Sequence, residues 1–305
     1  MGARGGAALR LVRFPREFII NRQFARRVLL AVMVLFNILL IGLMTLPGGA
    51  SKVDASTKSY PVANAIIEYQ VFEELSILPP SDSQVSSKVE AAASNWVAQQ
   101  TSGTFAYQIS GIDNAVQAGD MQDEQFPSAS IYKLFLLKPL LDANPYESWL
   151  TSSINGASLE HCVHIMLAIS DNPCAEGIAA KLGWSNVNST MNQEGYGQLY
   201  NEGQVVAKVS DVTTLLKRLA SGNYYGQSAS ESILTSMSQP KWAEAIRGGC
   251  DACSAVYNKT GEISNVKHDA AVIELNGKTY TLTIFSQDAS WAQLINLTSV
   301  ITNSL

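Results

Sequence analysis

Hydrophobic and polar positions divide the chain into segments of different character. Val28–Leu46 is a run of nineteen residues, uncharged and apolar apart from Asn37 and Thr45. It is long enough to cross a hydrocarbon core of about 30 Å as a helix. Residues 47–83 read as a linker, with Pro47-Gly48-Gly49 at one end and Pro79-Pro80-Ser81-Asp82-Ser83 at the other. Within it, Ala65–Leu78 carries apolar residues at mixed spacing, which fits a short helix packed on the domain or one lying at a membrane surface. Regular periodicity begins near Gln84. Val85, Val89, Ala92, Ala93, Trp96 and Val97 follow the rhythm of an amphipathic helix. Phe105, Tyr107 and Ile109 alternate with small or polar residues as in a strand, Gly111–Asn114 gives a turn, and Ala115–Gly119 a second strand.

From Ser130 to about Leu141 most residues are apolar, which predicts a helix buried on most sides. The middle of the chain, to about Ser236, reads mainly helical, with helices at Leu159–Ile169, Cys174–Leu182 and Val209–Ala220. Strands return at Ala255–Asn258, then at His268–Leu275 and Thr279–Ser286, which Asn276-Gly277 joins as a hairpin. A helix over Ala289–Asn303 closes the chain. This order of helix and strands, helical insert, then strands and helix predicts one sheet built from both ends of an α/β domain spanning 84–305. No internal repeat is visible.

Charge adds an orientation to that picture. The net charge is −5, yet residues 1–27 hold seven Arg and one Glu, so the remainder is strongly acidic. Arginines crowd the N-terminal side of Val28–Leu46, which places residues 1–27 in the cytoplasm and the domain outside as a single-pass protein of the cell membrane. A cleaved signal peptide is the competing reading, but its apolar core is usually shorter and no clean A-x-A site follows. An acidic body has no basic footprint for a phosphate backbone, so no nucleic-acid partner is expected. Four cysteines allow three pairings. In an exported chain Cys250-Asp251-Ala252-Cys253 reads as a tight disulfide rather than a redox centre, and zinc would need a second ligand pair. Cys162 and Cys174 flank a loop and each fits a buried thiol.

Three short motifs carry chemistry. Ser130-Ile131-Tyr132-Lys133 is an S-x-x-K where a loop enters a helix, and its spacing puts a lysine amine on the same face as a serine hydroxyl. A serine needs such a base to become nucleophilic, and a desolvated lysine can lose its charge to serve. Ser170-Asp171-Asn172 lies between two helices, where Asn172 also fits an ordinary cap before Pro173. Lys259-Thr260-Gly261 ends a strand, where a cation and a hydroxyl could hold a carboxylate and Gly admits a substrate backbone. Gly277-Lys278-Thr279 is a decoy that lacks a following Gly. Each motif alone is weak, but S-x-x-K, SDN and KTG in this order form a signature.

On these motifs residues 84–305 resemble the class A-like β-lactamase branch of the penicillin-recognising serine hydrolases. Phe126-Pro127 before Ser130, Val209–Leu219 and Trp242–Gly249 are looser matches. The resemblance implies an antiparallel sheet flanked by helices with an inserted all-helical lobe. It also implies an acyl-enzyme mechanism on β-lactam or D-alanyl-D-alanine amides, with no cofactor or metal. Carried over, Ser130 is the nucleophile, Lys133 its base, and Ser170 a proton relay. Asn172 donates to the substrate amide, Lys259, Thr260 and Gly261 hold the substrate carboxylate end, and the backbone of Glu262 completes an oxyanion site with Ser130. His268 falls where the family often places a carboxylate-binding cation, although a neutral hairpin histidine fits as well. One departure stands out. Trp184–Lys208 contains no E-x-x-L-N loop, the source of the deacylating glutamate; its acids are Glu194 and Glu202, of which Glu194 could stand in, although both also fit solvated loop charges. Three readings follow: a β-lactamase-like hydrolase, a D,D-peptidase of cell-wall metabolism that penicillins acylate and whose substrate is a peptidoglycan stem peptide, or a non-catalytic wall-binding scaffold.

Overall fold

The structure, a computed structural model, describes residues 81–241 and 245–305. The expected tail over 1–27, the anchor over 28–46, the linker as far as residue 80 and the segment 242–244 lie outside the described residues. Among the described residues no helix is long and apolar enough to cross a membrane.

The periodic segment after the linker forms helix α1, Asp82–Ala98, two residues earlier than the apolar rhythm suggests. Ser81 sets that start through a capping box with Gln84, which satisfies two backbone donors at the helix end. The chain then makes β1 (Thr104–Gly111) and β2 (Gln117–Asp120). At the other end of the domain come β8 (Cys253–Ile263), β9 (Val266–Leu275), β10 (Lys278–Gln287) and α10 (Trp291–Thr302). All five strands lie in one antiparallel sheet of order β2-β1-β10-β9-β8, so the two ends of the domain meet where β1 pairs with β10.

Alternation decides what each face meets. Phe105, Tyr107 and Ile109 of β1 and Leu282 and Ile284 of β10 share a core with Val85, Val89 and Ala93 of α1 and Leu294, Leu297 and Ile301 of α10. The intervening Ala106, Ala270, Val272 and Phe285 face a second, larger core made chiefly by the helical lobe. Both faces of the sheet are therefore covered, and burial of these side chains at about 25 cal/mol per Å² is the main stabilising contribution.

The lobe between the two groups of strands contains β3 (Gln125–Pro127), a 3-10 turn at Ala129–Ile131, α2 (Tyr132–Phe135), α3 (Leu137–Ala143), β4 (Ser153–Ile154), β5 (Ala157–Ser158), α4 (Leu159–Ala168), α5 (Asn172–Leu182), α6 (Trp184–Gln193), β6 (Tyr200–Asn201), β7 (Gln204–Lys208), α7 (Val209–Ala220) and α8 (Gln227–Ser238). A short α9 (Ile246–Gly249) leads into β8. The single helix expected over Ser130–Leu141 is broken at Leu136. Pro139 accounts for the break, because it has no N–H for the Phe135 carbonyl and its ring clashes with that group. Two disulfides settle the pairing as Cys162–Cys174 and Cys250–Cys253. The first ties α4 to α5 across the Ser170 loop; the second closes the turn before β8.

Candidate active site

Ser130 lies in the 3-10 turn, half-buried, at the floor of a cleft of about 580 Å³. The walls are Tyr132, Asn172 and Glu176 on one side with Gly203–Val205, and the β8–β9 turn from Glu262 to Val266 on the other. Ala129, just before Ser130, has φ 45°, a left-handed conformation that costs a non-glycine residue energy and that surrounding structure must impose. Two contacts impose it here. Ser128 N–H donates to the Val205 carbonyl at 2.9 Å, and Pro127 pairs with Val206 in the β3–β7 ladder. Being in the first turn, the Ser130 N–H has no helical acceptor of its own.

β8 presses against this turn. A Cβ added to Gly261 would sit 3.0 Å from the Ser130 nitrogen and 3.2 Å from the Ala129 Cβ. Glycine is thus needed so that the strand can approach the nucleophile's own backbone, rather than to admit a substrate backbone as the sequence suggested. Lys259-Thr260-Gly261 also lies inside β8 and not at its end, since pairing with β9 continues through Ile263–Val266.

Lys133 is fully buried, and its amine donates to the Ser170 carbonyl at 2.7 Å, the Ser170 Oγ at 3.1 Å and the Asn172 Oδ1 at 2.8 Å. Three acceptors for three N–H groups describe an ammonium at rest. Ser130, one turn away in sequence, is not among its partners. Lys259, 1% exposed, donates to the same Ser170 Oγ at 3.0 Å and to the Thr260 carbonyl at 2.6 Å. Burial lowers Lys133 from 10.5 to about 8, with Asp171 and Glu176 opposing. Burial, helped by the nearby Lys133 charge, lowers Lys259 to about 7, with Asp269 opposing. Ser170 itself holds φ 59°. With both lone pairs facing amines, its hydroxyl proton is the group left for the cleft.

The Ser170 loop differs from expectation in one useful respect. Asp171, not Asn172, caps α5, accepting from Cys174 N–H at 2.8 Å. Asn172 is thereby released from capping and turns its side chain to Lys133.

Two expected residues are elsewhere. His268 is fully buried; its Nδ1 accepts from the Ser286 N–H at 3.2 Å, so its Nε2–H donates to the Pro127 carbonyl at 2.8 Å. The ring stacks on Phe285, with centroids 4.1 Å apart, and burial lowers its pKa to about 4. A neutral, enclosed imidazole cannot serve as a carboxylate-binding cation. It supports the segment before Ser130. Glu194 ends α6 and pairs with Arg218 at 3.2 Å and Lys138 at 3.8 Å, and it does not line the cleft. It is committed to that ion-pair cluster and cannot stand in as a deacylating base. Conversely, Tyr132, Glu176 and the 203–205 and 264–266 segments line the cleft without having been singled out. Glu176 was findable, being one helical turn beyond Asn172 on α5.

Comparison with known proteins places this arrangement. The model of the beta-lactamase enzyme family matches residues 148–303. The chain belongs to the beta-lactamase enzyme family. Membership implies serine hydrolase activity. Among solved structures, PBP-A is 18% identical with a TM-score of 0.61, the match covering 74% of this chain and 98% of that one. A beta-lactamase from Sphaerobacter thermophilus is 18% identical, with a TM-score of 0.59 over 72% of this chain and 95% of that one. A beta lactamase from Xanthomonas campestris is 17% identical, with a TM-score of 0.63 over 72% and 98%. At such identities the likeness shows the β-lactamase fold, an antiparallel sheet flanked by helices. No curated protein matches the sequence.

Proposed function

We propose that this protein is an acyl-enzyme serine hydrolase, acting on β-lactams or related D-alanyl-D-alanine amides, in which acylation outpaces deacylation. The observation that carries the reading is the Ser170 hydroxyl held between the Lys133 and Lys259 amines, with Lys133 also bonded to Asn172, which lines the same cleft as Ser130. Lys133 in its neutral form takes the proton of Ser130 Oγ, which attacks the substrate carbonyl carbon. The C–O ester bond forms, the C–N bond breaks, and the proton passes through the Ser170 hydroxyl to the leaving nitrogen. A lysine lowered to about 8 is neutral in about a tenth of molecules near pH 7, enough to act. The Ser130 and Glu262 N–H groups receive the oxyanion, a kind of contact worth about 3–4 kcal/mol elsewhere. Asn172 donates to the substrate amide, the Thr260 hydroxyl touches the substrate carboxylate, and the buried Lys259 acts on it mainly through its charge.

Glu194, the glutamate expected to supply the base for the finishing half, is held by Arg218 and Lys138 and does not line the cleft. General-base help is worth about 10²–10⁴-fold, so the ester is long-lived. That favours the D,D-peptidase reading over rapid β-lactam hydrolysis. The N-terminal run Val28–Leu46, preceded by arginines, anchors the enzyme in the cell membrane with the domain outside, where wall peptides lie.

Full-length protein and Ser130→Ala, incubated with a fluorescent penicillin and a chromogenic β-lactam, test the reading. A stable label dependent on Ser130 with little chromogenic turnover is expected. Fast turnover would overturn the slow deacylation, and absence of any label would overturn the enzyme and leave a scaffold.

A further inference from the structure

The two carboxylates that line the cleft are in opposite situations. Glu262 is held by Lys267 at 3.2 Å and by the Trp291 Nε1–H at 3.3 Å. Glu176 is exposed on the facing wall and, among the described residues, has no hydrogen bond or ion pair. Its charge is felt across the cleft wall by both Lys133 and Tyr132. Tyr132 supplies a half-exposed aromatic surface beside it. That ring is fixed from behind, packing on Trp184 with centroids 5.8 Å apart, while Trp184 stacks on Tyr200 at 4.9 Å. An unpaired carboxylate next to a fixed aromatic face is the combination that binds an organic cation.

The placement says which cation. Four residues along α5 separate Asn172 from Glu176, a rise of about 6 Å. A substrate whose amide oxygen lies at Asn172 carries its acyl side chain along this wall. An ammonium one carbon beyond that amide, plus one hydrogen bond, spans about the same distance.

We infer that Glu176 and Tyr132 form a subsite for an ammonium group on the acyl side chain of the substrate, so that the enzyme selects amino-substituted acyl donors. The inference rests on the acylation of Ser130 proposed above. A single carboxylate does not make a metal site, and the aromatic partner favours an organic ammonium.

Three penicillins that differ at one carbon provide the test: ampicillin carries an α-ammonium there, benzylpenicillin neither charge, and carbenicillin a carboxylate. Second-order rates of Ser130 acylation are measured on the full-length protein in detergent. In Glu176→Gln the ampicillin-to-benzylpenicillin ratio is expected to fall about three- to tenfold from the wild-type value, the size of a partly solvated ion pair with aromatic support. In Glu176→Lys the preference is expected to pass to carbenicillin, a gain that a misfolded variant cannot produce. Ratios unchanged in both variants would overturn the subsite. So would an equal loss with all three compounds, or slowed adduct breakdown without a change in ratios, which would make Glu176 a general base instead. A wild-type protein labelled by none of the three would overturn the Ser130 reading, and this subsite with it.

Discussion

Two buried lysines share one serine hydroxyl, and burying two charges so close together carries a cost. Lys259 would hold its proton to about 10.5 in the unfolded chain, but burial and the Lys133 charge lower it to about 7 when folded. For a base with a depressed folded pKa, protonation penalises the folded state. The penalty is complete below pH 7, shrinks as pH rises toward 10.5, and is absent above it. Lys259→Met, which keeps volume without charge, should therefore be more stable than wild type at pH 6, on the order of 1–3 kcal/mol. Its advantage should narrow at pH 9, while acylation falls. Urea melts at the two pH values check this, and a less stable Met variant at pH 6 would refute it. Side-chain chemistry of this kind was legible in sequence only where spacing fixed it. Ser130, Lys133, Ser170, Asn172 and Lys259 converge because each motif is short and rigidly placed. The surroundings of His268 and Glu194 were not legible, because Phe285, Pro127, Lys138 and Arg218 reach them from distant parts of the chain.

Elements followed their local signals wherever periodicity was long or a cap was strong. The α1 stripe, the α7 boundaries and the Asn276-Gly277 hairpin, whose residues hold φ 52° and 72°, were all readable. The segment between α5 and α7 was not, because a ten-residue helix without a side-chain cap, a two-residue strand and a five-residue strand leave little pattern. The element that matters most to the chemistry is the α4–α5 corner. Ser170 stands there in a left-handed conformation, between the Asp171 cap and the Cys162–Cys174 bridge. The bridge closes a loop of about a dozen residues, which in the chain-entropy account is worth about 3 kcal/mol. The double variant Cys162→Ala, Cys174→Ala should lose about 2–4 kcal/mol. It should also acylate more slowly, because Ser170 and Asn172 are no longer clamped against Lys133. Thermal melts and fluorescent-penicillin labelling rates read the two effects separately. A bridge variant that is destabilised but labels at the wild-type rate would show that the Asp171 cap alone positions the loop.

At the scale of the whole molecule, the sheet is joined where sequence-distant strands pair, and this decides what can fold alone. The family match over residues 148–303 stops short of Ser130 and Lys133, and also of β1, β2 and α1. The segment holds β8, β9 and β10, which form a hairpin-connected half-sheet. Without β1, however, β10 becomes an edge whose outward-facing N–H and C=O groups between Tyr280 and Gln287 lose their partners. It also loses Val85, Val89 and Ala93 from the core that covers Leu282 and Ile284. An uncovered edge of eight residues is a template for self-association. A piece spanning 148–303 should therefore aggregate or remain unfolded, whereas a piece spanning 81–305 should be monodisperse and take a Ser130-dependent penicillin label. Size-exclusion chromatography and circular dichroism of the two pieces distinguish these outcomes. A folded, monomeric 148–303 would mean that the half-sheet and the helical lobe form a core without α1 and β1. The pairing of β1 with β10 would then serve to deliver the nucleophile and not to hold the fold.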